Sequence, residues 1–187
     1  MAPGRAPLGL RVAAFTLLVP GTVIGLVPWL MLRHAGDGRS FRFEGIGWFG
    51  AAAAALGLAI YSWCAWEFAA RGRGTPAVYD PPRHLVVSGL YRRVRNPMYV
   101  GVLLALAGEA LLSRSTSVAV YASALALVFH LHVVLREEPA LRRSFPGDFA
   151  AYCAGVRRWL PRWRAWRASV ADRVAEEAPP PGKATLR

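Results

Sequence analysis

The sequence is almost without lysine. Of its 23 basic residues all but Lys183 are arginine, set against 11 acidic residues, for a formal charge of +12. Cysteine is equally scarce. Cys64 lies inside an apolar run and Cys153 in a polar stretch, far apart and without ligand-type spacing. That argues against a disulfide framework or a metal centre and leaves two unpaired packing residues. Nothing reads as strand, glycine loop and helix, so a soluble nucleotide-binding fold is missing. No small-x-small cleavage site follows the first apolar stretch, which is also too long for the core of a signal peptide.

Apolar residues, in contrast, are abundant. They make up 55% of the 187 residues, above the roughly 45–50% of soluble domains. High apolarity with a large positive charge suits either a nucleic-acid binder or an inner-membrane protein with arginines on its cytoplasmic side. The apolar residues are gathered into four long runs rather than spread at helix or strand period, which selects the membrane protein and sets nucleic acid aside. The expected fold is all-α and polytopic, with about four transmembrane helices and a C-terminal amphipathic helix in the interface.

The first run covers 8–32, longer than the ~20 residues needed to cross a bilayer, with Pro20 and Pro28 expected to kink it. The second, 46–70, is rich in glycine and alanine, residues that let helix backbones approach closely in lipid. Trp48, Tyr61, Trp63 and Trp66 lie towards its ends, and Glu67 reads as a head-group anchor near the inner end. The third, 97–112, opens with Pro97, which fits a first helical turn. Pro97, Gly101, Ala105 and Gly108 share one face as a packing seam, and Glu109 lies roughly 18 Å along the helix from Pro97. A tight turn at 113–117 makes the fourth run, 118–135, its antiparallel neighbour, ending in Arg136-Glu137-Glu138-Pro139. His130 and His132 point to different sides of that helix and cannot share a metal. After Pro139 the pattern turns amphipathic: Leu141, Phe145, Phe149, Tyr152 and Val156 against Arg142, Arg143, Asp148 and Arg157, which predicts a surface helix. The tail from Glu176 is rich in proline and charge and reads as disordered.

Arginine sets the orientation. Six fall in the 71–96 loop and eight in 136–167, and both stretches belong on the cytoplasmic side, with both termini. The chain then divides into a first span and loop (1–45), a core of three spans with the 71–96 loop and the amphipathic segment (46–167), and a tail (168–187).

Two features meet at the inner face: the stretch Gly89-Leu-Tyr-Arg-Arg-Val-Arg-Asn-Pro-Met-Tyr-Val-Gly101 before the third span, and Glu137-Glu138 after the fourth. The short turn between those spans predicts that Asn96 and Tyr99 lie close to Glu137 and Glu138. Carboxylates beside arginines suit a polar ligand with both charge signs, the acids taking hydroxyls or an ammonium and the guanidinium fork a carboxylate. Adjacent acids at a span end also serve as ordinary interfacial charges.

The elements Gly72-x-Gly74-Thr-Pro76, Asp80-Pro-Pro, Leu85 to Gly101, Glu137-Glu-Pro-Ala-Leu141 and Val156-Arg-Arg-Trp-Leu-Pro161 closely resemble the isoprenylcysteine carboxyl methyltransferase and phospholipid N-methyltransferase superfamily, over residues 45–165. The resemblance implies S-adenosylmethionine (SAM) as cofactor at the cytoplasmic ends of the last two spans. Residue by residue, it implies that Tyr91, Arg95, Asn96, Tyr99 and Gly101 form one cofactor motif and Glu137 and Glu138 the other. Gly72-x-Gly74 resembles a glycine motif of the phospholipid enzymes, and Asn96 stands where the prenylcysteine enzymes usually carry His. The expected activity is methyl transfer from SAM to a lipid-like or prenylcysteine-type carboxylate, which Arg157 or Arg158 would hold. The alternatives are a phospholipid N-methyltransferase, for which His84, Glu109 and His130 are candidate bases, and a non-catalytic membrane scaffold.

Overall fold

The computed structural model describes residues 18–34, 41–71, 85 and 87–167, with backbone only for 68–71. Residues 1–17, the Gly72-x-Gly74 and Asp80-Pro-Pro elements, His84 and the tail lie outside the described residues. Every regular element among the described residues is helical. Helix α1 is Leu18–His34, α2 Ile46–Arg71, α3 Pro97–Ser113 and α4 Thr116–His132, which continues through a π-helical turn, Val133–Glu137, into α5, Glu138–Ser144. Helix α6, Pro146–Gly155, follows. Two helical stretches are long and apolar enough to cross a membrane, Ile46–Glu67 and Thr116–Ser144; Leu18–His34 and Pro97–Ser113 are apolar but shorter.

The most extensive contact is between α2 and α3, and glycine creates it. A Cβ on Gly57 would lie 2.5 Å from the Gly101 carbonyl oxygen, and one on Gly108 equally close to that of Gly50. With hydrogen at these positions the backbones touch directly, and dispersion between close-packed main chains replaces side-chain interdigitation. Gly101, Ala105 and Gly108 therefore form the seam that the spacing predicts, with α2 as its partner. Beyond it, Tyr61, Ala65, Val102, Ala105 and Leu106 pack with Ile24 of α1 and with Tyr121, Leu125 and Phe129 of α4, so four helices share one core. The α3–α4 turn closes as expected. Arg114 takes a left-handed φ of 50° and its N–H returns to Ala110 and Leu111, while Ser115 caps α4 by accepting from the Val118 N–H.

Two π-helical turns each precede a proline, and they change how the prolines act. At Gly21–Leu26 the Val27 N–H bonds back to Thr22. Pro28, next in that register, has no N–H for the Val23 carbonyl, and Tyr121 of α4 donates its hydroxyl there instead, at 3.3 Å. The same turn recurs at Val133–Glu137, where the Glu138 N–H reaches Val133 just ahead of Pro139. The wider turn relieves the clash of the proline ring with the preceding carbonyls. The fourth run consequently does not stop at Pro139, as the sequence suggests, but continues as helix to Ser144.

The amphipathic helix expected after Pro139 is also corrected. Phe145 and Pro146 divide it into α5 and α6, and residues 156–167 form a non-helical arm. Its apolar face does not lie open: Phe149, Tyr152 and Val156 are buried against Leu85, Val87, Leu141 and Trp166. Trp166 stacks over Gly155 so closely that a Cβ there would overlap the indole ring. The helical periodicity of that stretch records burial in a small second core.

Candidate functional site

The arm folds back along the basic loop. The Arg95 N–H donates to the Arg157 carbonyl, the Arg162 N–H to Arg93, and the Trp166 N–H to Arg92, at 2.9, 2.9 and 2.8 Å. Side chains reinforce the pairing. Arg92 Nε donates to the Trp166 carbonyl at 2.7 Å, Tyr152 Oη to Tyr91 at 2.6 Å, and Asn96 Nδ2 to Arg158 at 3.2 Å. Asn96 thus spends its amide on the arm instead of capping α3, where its side chain makes no capping bond.

This docking carries Arg158 onto Glu138. Arg158 Nε and Nη2 donate to the two carboxylate oxygens at 2.6 and 2.9 Å, and Arg95 Nη1 approaches Oε1 at 3.2 Å. Glu138 is 7% exposed, so its charge is compensated by two guanidinium groups, one bidentate, as buried carboxylates require. Arg95 Nη1 also donates to Cys153 Sγ at 2.7 Å, and Arg95 Nε is buried with no partner. One turn along α3, the Tyr99 hydroxyl donates to Glu137 Oε1, and the same oxygen lies 3.3 Å from His132 Nε2. Tyr99 is stacked at a tilt on Phe129, centroids 4.5 Å apart.

The structure therefore brings together Arg95, Asn96, Tyr99, Glu137, Glu138 and Arg158, with the Tyr91 backbone beside them. Burial, then the surrounding Cys64, Tyr152, Glu137 and Glu67, pushes the Tyr91 phenol well above its ordinary range, so it stays a neutral donor. Burial likewise raises Tyr152. The Glu138 hydrogen bond raises Arg158 further. Gly101 stands apart, in the seam against α2. The Arg157 side chain is exposed, its carbonyl alone joining the site. Glu109 lies towards the opposite end of α3, and His130 accepts from Trp159 Nε1 at 3.2 Å.

Glu67 is the residue that sequence reasoning misplaced. It is 4% exposed and turns inward, where its carboxylate fills the space beside Gly89, which has a φ of +49°, with the Ser88 hydroxyl 3.5 Å away. A single acid at the inner end of a span looks identical to an anchor until the loop that covers it is placed. Gly89 suits its left-handed φ, but no sequence signal says which side chain lies beside it. Replacing Gly89 with Ala sets a Cβ 2.5 Å from Glu67 Oε1 and imposes the left-handed penalty of about 1–2 kcal/mol. The expected result is a lower thermal midpoint for the purified protein in detergent, read by intrinsic fluorescence, and an unchanged midpoint would contradict this packing.

No curated protein and no solved structure gives a significant match to the chain. A family model described as Phospholipid methyltransferase matches residues 46–148, more than half of the 187 residues. That stretch runs from α2 through α3, α4 and α5 into the start of α6, and includes Tyr91, Arg95, Asn96, Tyr99, Gly101, Glu137 and Glu138. The apolar helices and the charged cluster at the helix ends agree with that match: the chain belongs to the phospholipid methyltransferase family, membrane methyltransferases that use S-adenosylmethionine.

Proposed function

We propose that the protein transfers a methyl group from SAM to a lipid-like acceptor at the cytoplasmic end of a four-span bundle. Helices α1 to α4 are the spans in this reading, with the 71–96 loop, the arm and both termini inside. The division into a first span and loop, a core over 46–167 and a tail follows from it. The observation that carries the proposal is the Arg95–Glu138–Arg158 cluster beside Tyr99–Glu137, where two apolar helices end.

The chemistry of this donor set suits the cofactor. SAM carries a carboxylate, an ammonium, ribose hydroxyls and a sulfonium, and it supplies an activated methyl group when bound. Arg95 offers its buried, unpartnered Nε as a donor to a carboxylate. Glu137 offers acceptor capacity for hydroxyls or an ammonium, and Tyr91 and Tyr99 provide aromatic walls. Tyr91, Arg95, Asn96, Tyr99, Glu137 and Glu138 are the proposed binding residues. Gly101 acts on them indirectly, by holding α3 against α2. The rate of an in-line displacement depends largely on alignment, so the principal work of these residues is to bind, orient and exclude water.

Two acceptors fit. A prenylcysteine-type carboxylate needs a guanidinium with a free edge, which Arg157 has. An amine must attack neutral and needs a proton acceptor, for which His132, beside Glu137, is the nearest candidate. The engagement of Arg158 by Glu138 removes one of the two arginines that a carboxylate would use, and favours the phospholipid amine. Membranes containing the protein, incubated with methyl-labelled SAM, are expected to place label on a lipid amine. A base-labile ester would establish the carboxylate acceptor instead. Absence of both label and SAM binding would reduce the protein to a scaffold and overturn the proposal.

A further inference from the structure

The arm that completes the site has an outer surface with no assigned role. Trp163 is 95% exposed and Leu160 63%, and between and beside them Arg157, Arg162, Arg164 and Arg167 all face outward. None of these arginines forms an ion pair with a described carboxylate; Arg162 instead donates to the Gly155 carbonyl. An exposed indole among exposed guanidinium groups is favourable at a membrane interface, where ring and charge meet apolar chains and phosphates together.

A second observation places the arm against an apolar helix. Trp159 reaches His130 at 3.2 Å, with ring centroids 6.1 Å apart. His130 lies on the long apolar helix that begins at Thr116, among the exposed Leu127, Leu131 and Leu135. The arm is therefore held against the exposed apolar side of that helix, the side that a membrane would cover. Its positive charge selects the sign of the partner.

We infer that the 157–167 arm is a binding surface for anionic phospholipid head groups, with arginines on the phosphates and Trp163 in the interface. Because the same arm delivers Arg158 to Glu138 through its backbone pairing with Arg92, Arg93 and Arg95, anionic lipid holds the site closed. This consequence for the cofactor rests on the function proposed above, whereas lipid selectivity does not.

The test reconstitutes the full chain in nanodiscs of phosphatidylcholine, with and without phosphatidylglycerol, and compares it with an Arg164→Gln/Arg167→Gln variant. Neither side chain touches the Glu138 cluster. Spin-labelled phosphatidylglycerol should associate with the wild type in preference to labelled phosphatidylcholine, with a salt-sensitive excess. The variant should lose at least about half of that excess, since one arginine near an anionic surface is worth up to roughly fivefold in affinity. SAM affinity should rise severalfold with phosphatidylglycerol in the wild type and stay at its neutral-lipid value in the variant. Equal association of the two labelled lipids with the wild type, or full selectivity in the variant, overturns the inference. Retained selectivity with no SAM binding in either membrane supports the arm as a lipid site and refutes the cofactor assignment instead.

Discussion

Replacing Glu138 with Gln is expected to destabilise the fold by about 3–5 kcal/mol, the cost of removing one partner of a buried ion pair, and to lower SAM affinity because the arm that completes the site loses its bidentate contact. The substitution preserves shape and removes only the charge that Arg95 and Arg158 share. Both guanidinium groups would then lie beside a neutral amide, and the bidentate contact that seats the arm would be lost. Arg158→Gln should cost less than Glu138→Gln, since Arg95 still compensates the carboxylate at 3.2 Å. Equilibrium binding of labelled SAM to purified protein checks both, with the elution profile in detergent reporting whether the fold survives. Wild-type affinity in a folded Glu138→Gln protein would remove this cluster from the cofactor site.

A valine at Gly57 or Gly108 should prevent the protein from accumulating in a folded form. Overpacking a well-filled core costs about 1–3 kcal/mol, occasionally more, and here the obstruction is main chain. A Cβ on Gly57 meets Ala105 N and Gly101 O; one on Gly108 meets Ala54 N and Gly50 O. Main-chain atoms cannot change rotamer, so the two helices must separate along their length. The loop carrying Arg95 and Asn96 would shift with α3, so residual protein should also bind SAM poorly. Gly147→Ala is the matched control: nothing lies within 4 Å of its added Cβ, and the thermal midpoint should stay at the wild-type value. Normal yield and stability for Gly57→Val would mean that α2 and α3 do not meet along this seam.

The contrast between these two positions separates what was legible in the sequence from what was not. The four apolar runs, the small-residue seam, the tight turn at 113–117 and the proximity of Tyr99 to Glu137 follow from composition and spacing. Each depends on local geometry: helix rise, face periodicity and a connection too short for anything but antiparallel packing. That the arginine loop and the paired acids would meet was legible for the same reason.

Three features required the assembled chain. Glu67 reads as an anchor until the 88–91 loop covers it, because burial depends on a segment more than twenty positions away. Pro139 reads as a helix end, yet a π-helical turn carries the helix past it, and propensity does not reveal which proline will be accommodated. The residues after it read as an interfacial helix, since a periodic apolar face looks the same whether lipid or protein covers it. By itself, then, the sequence determined the all-helical apolar character of this protein and the meeting of residues at the ends of α3 and α4, because helix formation is local and the short turn at 113–117 leaves those two helices no packing but antiparallel. Only the tertiary structure decided that Arg158 pairs with Glu138, and that Glu67 faces inward. The first is made by the return of the 157–167 arm onto residues 92–96, through backbone and side-chain hydrogen bonds, and the second by the 88–91 loop; both join segments twenty or more positions apart, which no local pattern records.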